Sequence, residues 1–254
     1  MYAEYIDINC DMGEGFGPYA IGNDGEVMKH ITSANVACGF HAGDPMTINK
    51  TIRLAIQFGV AVGAHPGYPD RMNFGRRRME CSQDEIRNYL IYQIGAMKSF
   101  CNVYKIRFQH VKLHGALYHA AMSDAATAET VASVISDIDR EIIYVAQPNS
   151  KGAQIAKDAK LQVIYEAFPD RGYLDSGELA PREWADSVIE DPKEVALRAL
   201  MIARDGIIVA LNDRSVDMHA NTLCIHGDNP AAPEIAKEIR KTLSENNIKV
   251  RSMR

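Results

Sequence analysis

The chain has 254 residues, 46% of them hydrophobic and 24% charged, with a formal net charge of -5 at neutral pH. That is enough apolar material for one sizeable core, and about the usual length of a single α/β barrel. A negative balance without a basic tail argues against a nucleic-acid partner or an anionic membrane surface.

The five cysteines include no C-x-x-C pair, so a disulfide framework is not expected and a reducing cytoplasm fits better. Glu4, Asp7 and Asp11 stand where a secretory signal would need basic and then apolar residues. The most apolar late stretch, Val195–Leu211, is broken by Arg198, Arg204 and Asp205 and does not read as a membrane span.

Tyr5–Asp11 (YIDINCD) alternates strictly, with Ile6, Ile8 and Cys10 on one face and Asp7, Asn9 and Asp11 on the other. Facing into a barrel, such a polar row must be paired or hydrogen-bonded to be tolerated. The glycine-rich loop that follows contains Gly15-Phe16-Gly17-Pro18-Tyr19-Ala20, a loose match to a dinucleotide fingerprint. Pro18 interrupts it and no βα junction follows, so that reading is set aside.

Ser33–Asp70 then reads as strand, loop, helix, strand, loop. Asn35–Cys38 and Val60–Ala64 are short runs suited to a sheet covered on both faces, each leading to a histidine, His41 or His65. Between them Asp44 caps a helix, Pro45 fits its first turn, and Ile48, Ile52, Ala55 and Ile56 form its apolar side. Arg76-Arg77-Arg78 reads equally as a solvated face or as an anion-gripping loop. Ser82–Glu85 is a capping box opening a long helix with an Ile86, Leu90, Ile94, Met97 stripe.

Gln109–His114 alternates again, with His110, Lys112 and His114 on one side. An ammonium between two histidines on a barrel strand needs an anion or a carboxylate opposite. Further helices are expected at Ala125–Ile138, Lys151–Lys160, from Asp191-Pro192 onward, and at Pro233–Asn246. Strands are expected at Ile142–Ala146, Gln162–Phe168 and Leu223–His226, with Gly206–Leu211 and Val216–His219 pairing as a hairpin. Leu174–Ser187, which holds the lone Trp184, is long enough to form a lid or a binding surface.

About seven βα units follow one another without a linker, which implies a parallel sheet with right-handed crossovers. Polar clusters follow nearly every strand, whereas an open sheet would gather them at one switch point. The reading is one α/β domain over residues 1–254, an irregular (β/α)7-type TIM-like barrel. In such barrels the loops after the strands form the active face. Projected there are Asp11, Glu14, His41, Asp44, His65, Asp70, His114, Asp170, Arg171, His226 and Asp228.

Imidazoles and mutually buried carboxylates around one cup suit general acid–base catalysis. Asp11, His41 and His65 can equally hold a divalent metal with a position open to water, so the metal is left undecided. Asp44 reads more readily as a cap than as a catalyst, Asp70 and Asp228 as turn formers, and Asp7 and Asn9 as a buried network. His110 reads as a core histidine, and His30, His119 and His219 as surface or packing residues. Cys10, Cys38 and Cys224 read as small apolar fillers.

The strings DINCDMGEGFG, ITSANVACGFHAGDP, VAVGAHPGYPD, FGRRRM, VKLHGALY, AFPDRGY, LAPR and CIHGD, in this order, closely resemble the prokaryotic 5-oxoprolinase A-subunit family, the lactam-utilisation or LamB/YcsF-type proteins. The resemblance runs from Asp7 to Asp228. It implies a barrel similar to the glycoside hydrolase/deacetylase superfamily, and ATP-dependent opening of 5-oxo-L-proline to L-glutamate with partner subunits B and C. Under it, Asp11, Glu14, His41, His65 and His114 are candidates for catalysis, and Lys112, Asp170, Arg171 and His226 for substrate binding. ATP would be handled chiefly by the partners, and self-association stays open. The alternative is a metal-dependent deacetylase or amidohydrolase acting alone.

Overall fold

The computed structural model describes residues 5–253. Glu4, one of the acidic residues read against a secretory signal, lies outside them, as do the outermost ends of the expected domain. The order is β1 (Tyr5–Met12), α1 (Asp24–Val27), β2 (Ser33–Ala37), α2 (Pro45–Phe58), β3 (Ala61–His65), α3 (Gln83–Val103), β4 (Phe108–Lys112), α4 (Gly115–Ser123), α5 (Ala125–Ile138), β5 (Ile143–Ala146), α6 (Lys151–Asp158), β6 (Val163–Ala167), α7 (Pro192–Asp205), β7 (Ile207–Val209), β8 (Ser215–Asp217), β9 (Thr222–Ile225), α8 (Ala232–Glu245) and β10 (Lys249–Val250).

Strands β1 to β6 pair in sequence and in parallel, and β9 lies between β6 and β1, closing a barrel of seven strands. The missing strand has a visible cause. Helix α7 returns not to the barrel but to the expected hairpin, where β7 and β8 pair antiparallel (Ile208 opposite Val216) outside it. The short β10 adjoins β1.

The helices begin where the caps require. Asp44 Oδ1 accepts from the Met46 and Thr47 amides, and Pro45 opens α2. Ser82 and Glu85 close the capping box of α3, while Asp191 caps α7. The apolar core fills the space between barrel and helices, from Ile6, Ile8 and Cys10 on β1 to Ile86, Leu90, Ile94 and Met97 on α3.

The barrel interior is polar. Asp7, Asn9, Asp11, Ser33, Asn35, His110, Lys112, Glu166 and Thr222 are all buried. Asp7 accepts from Ser33 Oγ, Thr32 Oγ1 and Thr222 Oγ1, and Asn9 Nδ2 donates to Thr222 Oγ1 at 2.7 Å. Burial still raises Asp7 to a pKa of about 6 against these bonds. His110 Nε2 donates to Asn35 Oδ1 at 2.8 Å, and burial with the nearby Lys112 lowers its pKa to about 3, the neutral core histidine the sequence implied. Gly63 makes room for it, since a Cβ there would collide with the His110 ring.

Two differences from the expected elements bear on the site. The β4 ladder stops at Lys112, so His114 stands at the start of α4 rather than on a strand. Helix α4 itself was not expected; it begins at Gly115, with φ +51, and has no side-chain cap to announce it.

Candidate functional site

Asp11 ends its inward row at the carboxyl end of β1 and meets Lys112 from β4, with Nζ to Oδ1 at 2.7 Å. Glu166 of β6 lies 3.7 Å from the same ammonium, so the anion Lys112 required is a pair of carboxylates. Asn35 Nδ2 adds a hydrogen bond to Asp11 Oδ1 at 2.9 Å. Burial alone would raise the Asp11 pKa, but His65 and Lys112 outweigh it and hold the carboxyl well below the usual range. Burial likewise works against the Lys112 charge, and Asp11, Cys224 and Glu166 restore it. Glu166, with less compensation, is raised by burial to about 7.

His65 Nε2 lies 3.3 Å from Asp11 Oδ2 and 2.9 Å from His114 Nδ1. On the far sides, His65 Nδ1–H donates to the Lys112 carbonyl at 2.8 Å and His114 Nε2–H to the Phe74 carbonyl at 2.7 Å. These acceptors assign the tautomers. The facing nitrogens are therefore both lone-pair atoms in the neutral rings, and a proton between them makes the contact attractive.

His41 stacks on His114 at 3.8 Å with parallel rings, and Glu14 Oε1 lies 3.8 Å from both His41 Nε2 and His114 Nδ1. Burial and neighbouring histidines hold His41 and His114 well below the ordinary imidazole pKa, and burial with Asp11 and Asp228 nearby pushes Glu14 well up. Glycines at 67 and 75 admit the stacked pair. A Cβ at Gly67 would meet His41 Nδ1 at 2.7 Å, and one at Gly75 would meet His114 Cδ2 and His41 Cβ at 2.8 Å.

Beside this cluster lies a cavity of about 280 Å³, lined by Asp11, His65, Lys112 and His114 on one side. The other side is formed by Arg76, Tyr118, Phe168, Arg171, Arg182 and His226. His226 Nδ1 bonds Asp170 Oδ2 at 2.8 Å and its ring stacks on Phe168. Arg171 spends Nε and Nη2 on the carbonyls of Ser187 and Ala180, at 3.0 and 2.6 Å, pinning down the Leu174–Ser187 loop. Leu179–Glu183 of that loop line the cavity.

The structure thus brings together Asp11, Glu14, His41, His65, Lys112 and His114, with Asp170, Arg171 and His226 across the cavity. Asp44 stays apart as a helix cap. Asp70 shapes its turn, accepting from Asn73 Nδ2 at 2.7 Å. Asp228 does more than form a turn, because it pairs with Arg76 at 2.6 Å. His119, read as a surface or packing residue, is exposed but on the cavity rim.

Glu166, Asn35, Arg76 and Arg182 were missing from the projected set. The lone Glu in the strand VIYEA was a usable signal for Glu166, because a carboxylate inside a barrel strand needs a cation. Arg182 gave none beyond its place in LAPR. Its guanidinium has no hydrogen-bond or ion-pair partner among the described residues, and burial with Arg76 nearby lowers its pKa.

The LamB/YcsF family model matches residues 6–254. The 5-oxoprolinase A-subunit of Syntrophobacter fumaroxidans is 49% identical over 247 residues, 97% of this chain and 98% of that protein. The 5-oxoprolinase A-subunit of Pyrococcus horikoshii is 49% identical over 249 residues, 98% of each. Among solved structures, the lactam utilization protein from Thermus thermophilus superposes with a TM-score of 0.94 at 44% identity, covering 98% of this chain and all of that one. No helix among the described residues is long and apolar enough to cross a membrane.

Proposed function

Because the chain belongs to the LamB/YcsF family, we propose that it acts as the A-subunit of an ATP-dependent 5-oxoprolinase, opening 5-oxo-L-proline to L-glutamate with subunits B and C. An unstrained five-membered lactam resists hydrolysis, so phosphorylation of its amide oxygen, using ATP handled chiefly on the partners, supplies the electrophile. Water then adds to the activated carbon and the ring C–N bond breaks, leaving an acyl phosphate that a second water cleaves to the carboxylate and phosphate. The nitrogen takes a proton as it becomes the amine of glutamate.

The observation that carries this reading is the Asp11–His65–His114 array along one wall of a small cavity with guanidinium groups on the other. His65 and His114 hold and move the proton at their facing nitrogens, and Asp11 stabilises the charged pair. Lys112 keeps Asp11 ionised. Arg76 and Arg182 present charge to the substrate carboxylate or to a phosphoryl oxygen, for which guanidinium geometry is suited. Arg171 serves the same wall mainly by bracing the loop, and His226, set by Asp170, supplies a ring nitrogen there.

The test combines the chain with subunits B and C, ATP and 5-oxoproline, omits each in turn, and measures phosphate and glutamate separately. Asp11→Ala and His65→Ala should lower glutamate release by about 10²–10⁴. Near-normal release from either variant refutes the assignment.

A further inference from the structure

Next to the cavity, buried side chains converge on one spot from the ends of different strands. His65 Nε2 and His114 Nδ1 are 2.9 Å apart, and Glu14 Oε1 is 3.8 Å from His114 Nδ1. With His41, the donor atoms of these residues all lie within 4.8 Å of one another, and every one of the residues is buried. Two ligand atoms each ~2.1 Å from a tetrahedral ion are roughly 3.4 Å apart, so the observed spacings bracket what a shared ion needs.

The surroundings prepare the donors. Carbonyls on the far side take the other ring proton of His65 and of His114, which is how ligating histidines are commonly oriented. Glu14 Oε1 has no hydrogen-bond partner among the described residues. A buried carboxylate oxygen left this way asks for an unseen ligand. The rings of His41 and His114 are parallel at 3.8 Å, so an ion in the plane of one lies outside the plane of the other. His114 meets His65 at 87° with the two nitrogens already adjacent, which makes it the ligand and His41 the wall behind it.

We propose that Glu14, His65 and His114 bind one divalent ion of the zinc type, with His41 fixing the His114 ring by stacking. Two imidazoles and one carboxylate suit zinc and neighbouring first-row ions and leave room for water. His65 and His114 also line the cavity, so the ion borders the space open to substrate. Ion and shared proton are alternatives at the same nitrogens. The proposal goes beyond the lactam reading and does not depend on it.

The test uses the full chain, stripped of metal with a chelator and free of substrate, ATP and partners. Zinc(II) is titrated by calorimetry, and cobalt(II) by visible absorption, which reports nitrogen and oxygen ligands directly. One ion per chain is expected, with cobalt bands and a raised melting temperature. Glu14→Gln and His114→Ala should each weaken binding by about tenfold or more and remove the bands. Absence of saturable uptake by the folded wild type overturns the proposal. So does uptake by Glu14→Gln equal to wild type, because the ion would then belong elsewhere. If circular dichroism shows that His114→Ala does not fold, the volume-conserving Glu14→Gln decides alone. No readout involves glutamate or phosphate, so a failed titration leaves the proposed function standing, and failed turnover leaves the ion.

Discussion

Replacing Lys112 with methionine keeps most of the side-chain volume and removes one buried charge. Lys112 is 2% exposed and faces Asp11 at 2.7 Å and Glu166 at 3.7 Å. Taking away one member of a buried ion pair costs about 3–5 kcal/mol, because the other charge is left without compensation. Two details set the position within that range. Glu166, already at about 7, takes up a proton near neutral pH at little cost. Asp11 keeps its bond from Asn35 Nδ2 at 2.9 Å. The expected loss is therefore about 3 kcal/mol, or roughly 10 °C in melting temperature for a domain of this size.

The sign with pH follows from the same groups. In the wild type Asp11 is held below its ordinary range, so its contribution is present above that range and is lost on acidification. In the variant the orphaned carboxyl is raised by burial, and its penalty grows as pH rises through the new value. Urea unfolding of both proteins from about pH 8 to about pH 5 should show the gap narrowing on acidification. A gap below about 1 kcal/mol, or one constant across that range, would refute the argument that Lys112 neutralises this pair.

Glu166, raised from the ordinary glutamate range to about 7, contributes stability below the ordinary range that is lost as pH rises through about 7. The loss is roughly 3 kcal/mol; Glu166→Gln should flatten that part of the stability curve, and an unchanged slope would count against the raised value. Gly75→Ala places a Cβ 2.8 Å from His114 Cδ2 and His41 Cβ at a residue with φ +64. Thermal denaturation should show a loss of about 2 kcal/mol or more, whereas an unaltered melting temperature would mean that the stack yields freely. Arg182→Ala, with subunits B and C present, should raise KM for 5-oxoproline by about tenfold or more and leave the melting temperature nearly unchanged. An unchanged KM removes Arg182 from the substrate site.

The barrel was legible because alternation carries its own geometry. Asp7, Asn9 and Asp11 cannot share a face with Ile6 and Ile8, and a buried polar row needs partners on neighbouring strands. Those partners proved to be Ser33, Asn35, Lys112 and Thr222. The convergence of Asp11, His41, His65 and His114 followed from the rule that loops after parallel strands share one rim. Other features had no local signature. Nothing in GALYHAAMS marks the start of α4, since its first residue is a glycine and its capping position carries a histidine with no capping bond. The departure of β7 from the barrel, by contrast, was legible, since the hairpin expected of Gly206–Leu211 and Val216–His219 forms with Ile208 opposite Val216.

The polar interior bears on why the site stands where it does. Replacing buried polar networks with apolar side chains of similar volume is often neutral or stabilising, so stability alone does not account for this one. Its members form a directed chain: Thr222 receives from Asn9, Asn9 receives from Asn35, and Asn35 also donates to Asp11. Asn35 in turn accepts from His110. Each bond restricts the rotamer of the next side chain towards the carboxyl end of the barrel. At that end Asp11 must meet Lys112 through Oδ1 and His65 through Oδ2 at once, which only a narrow range of carboxylate orientations allows. Gly63 and His110 belong to the same logic, since the glycine gives up its side chain so that the ring can reach Asn35. The interior is thus better understood as the support that aims Asp11 than as a core in its own right.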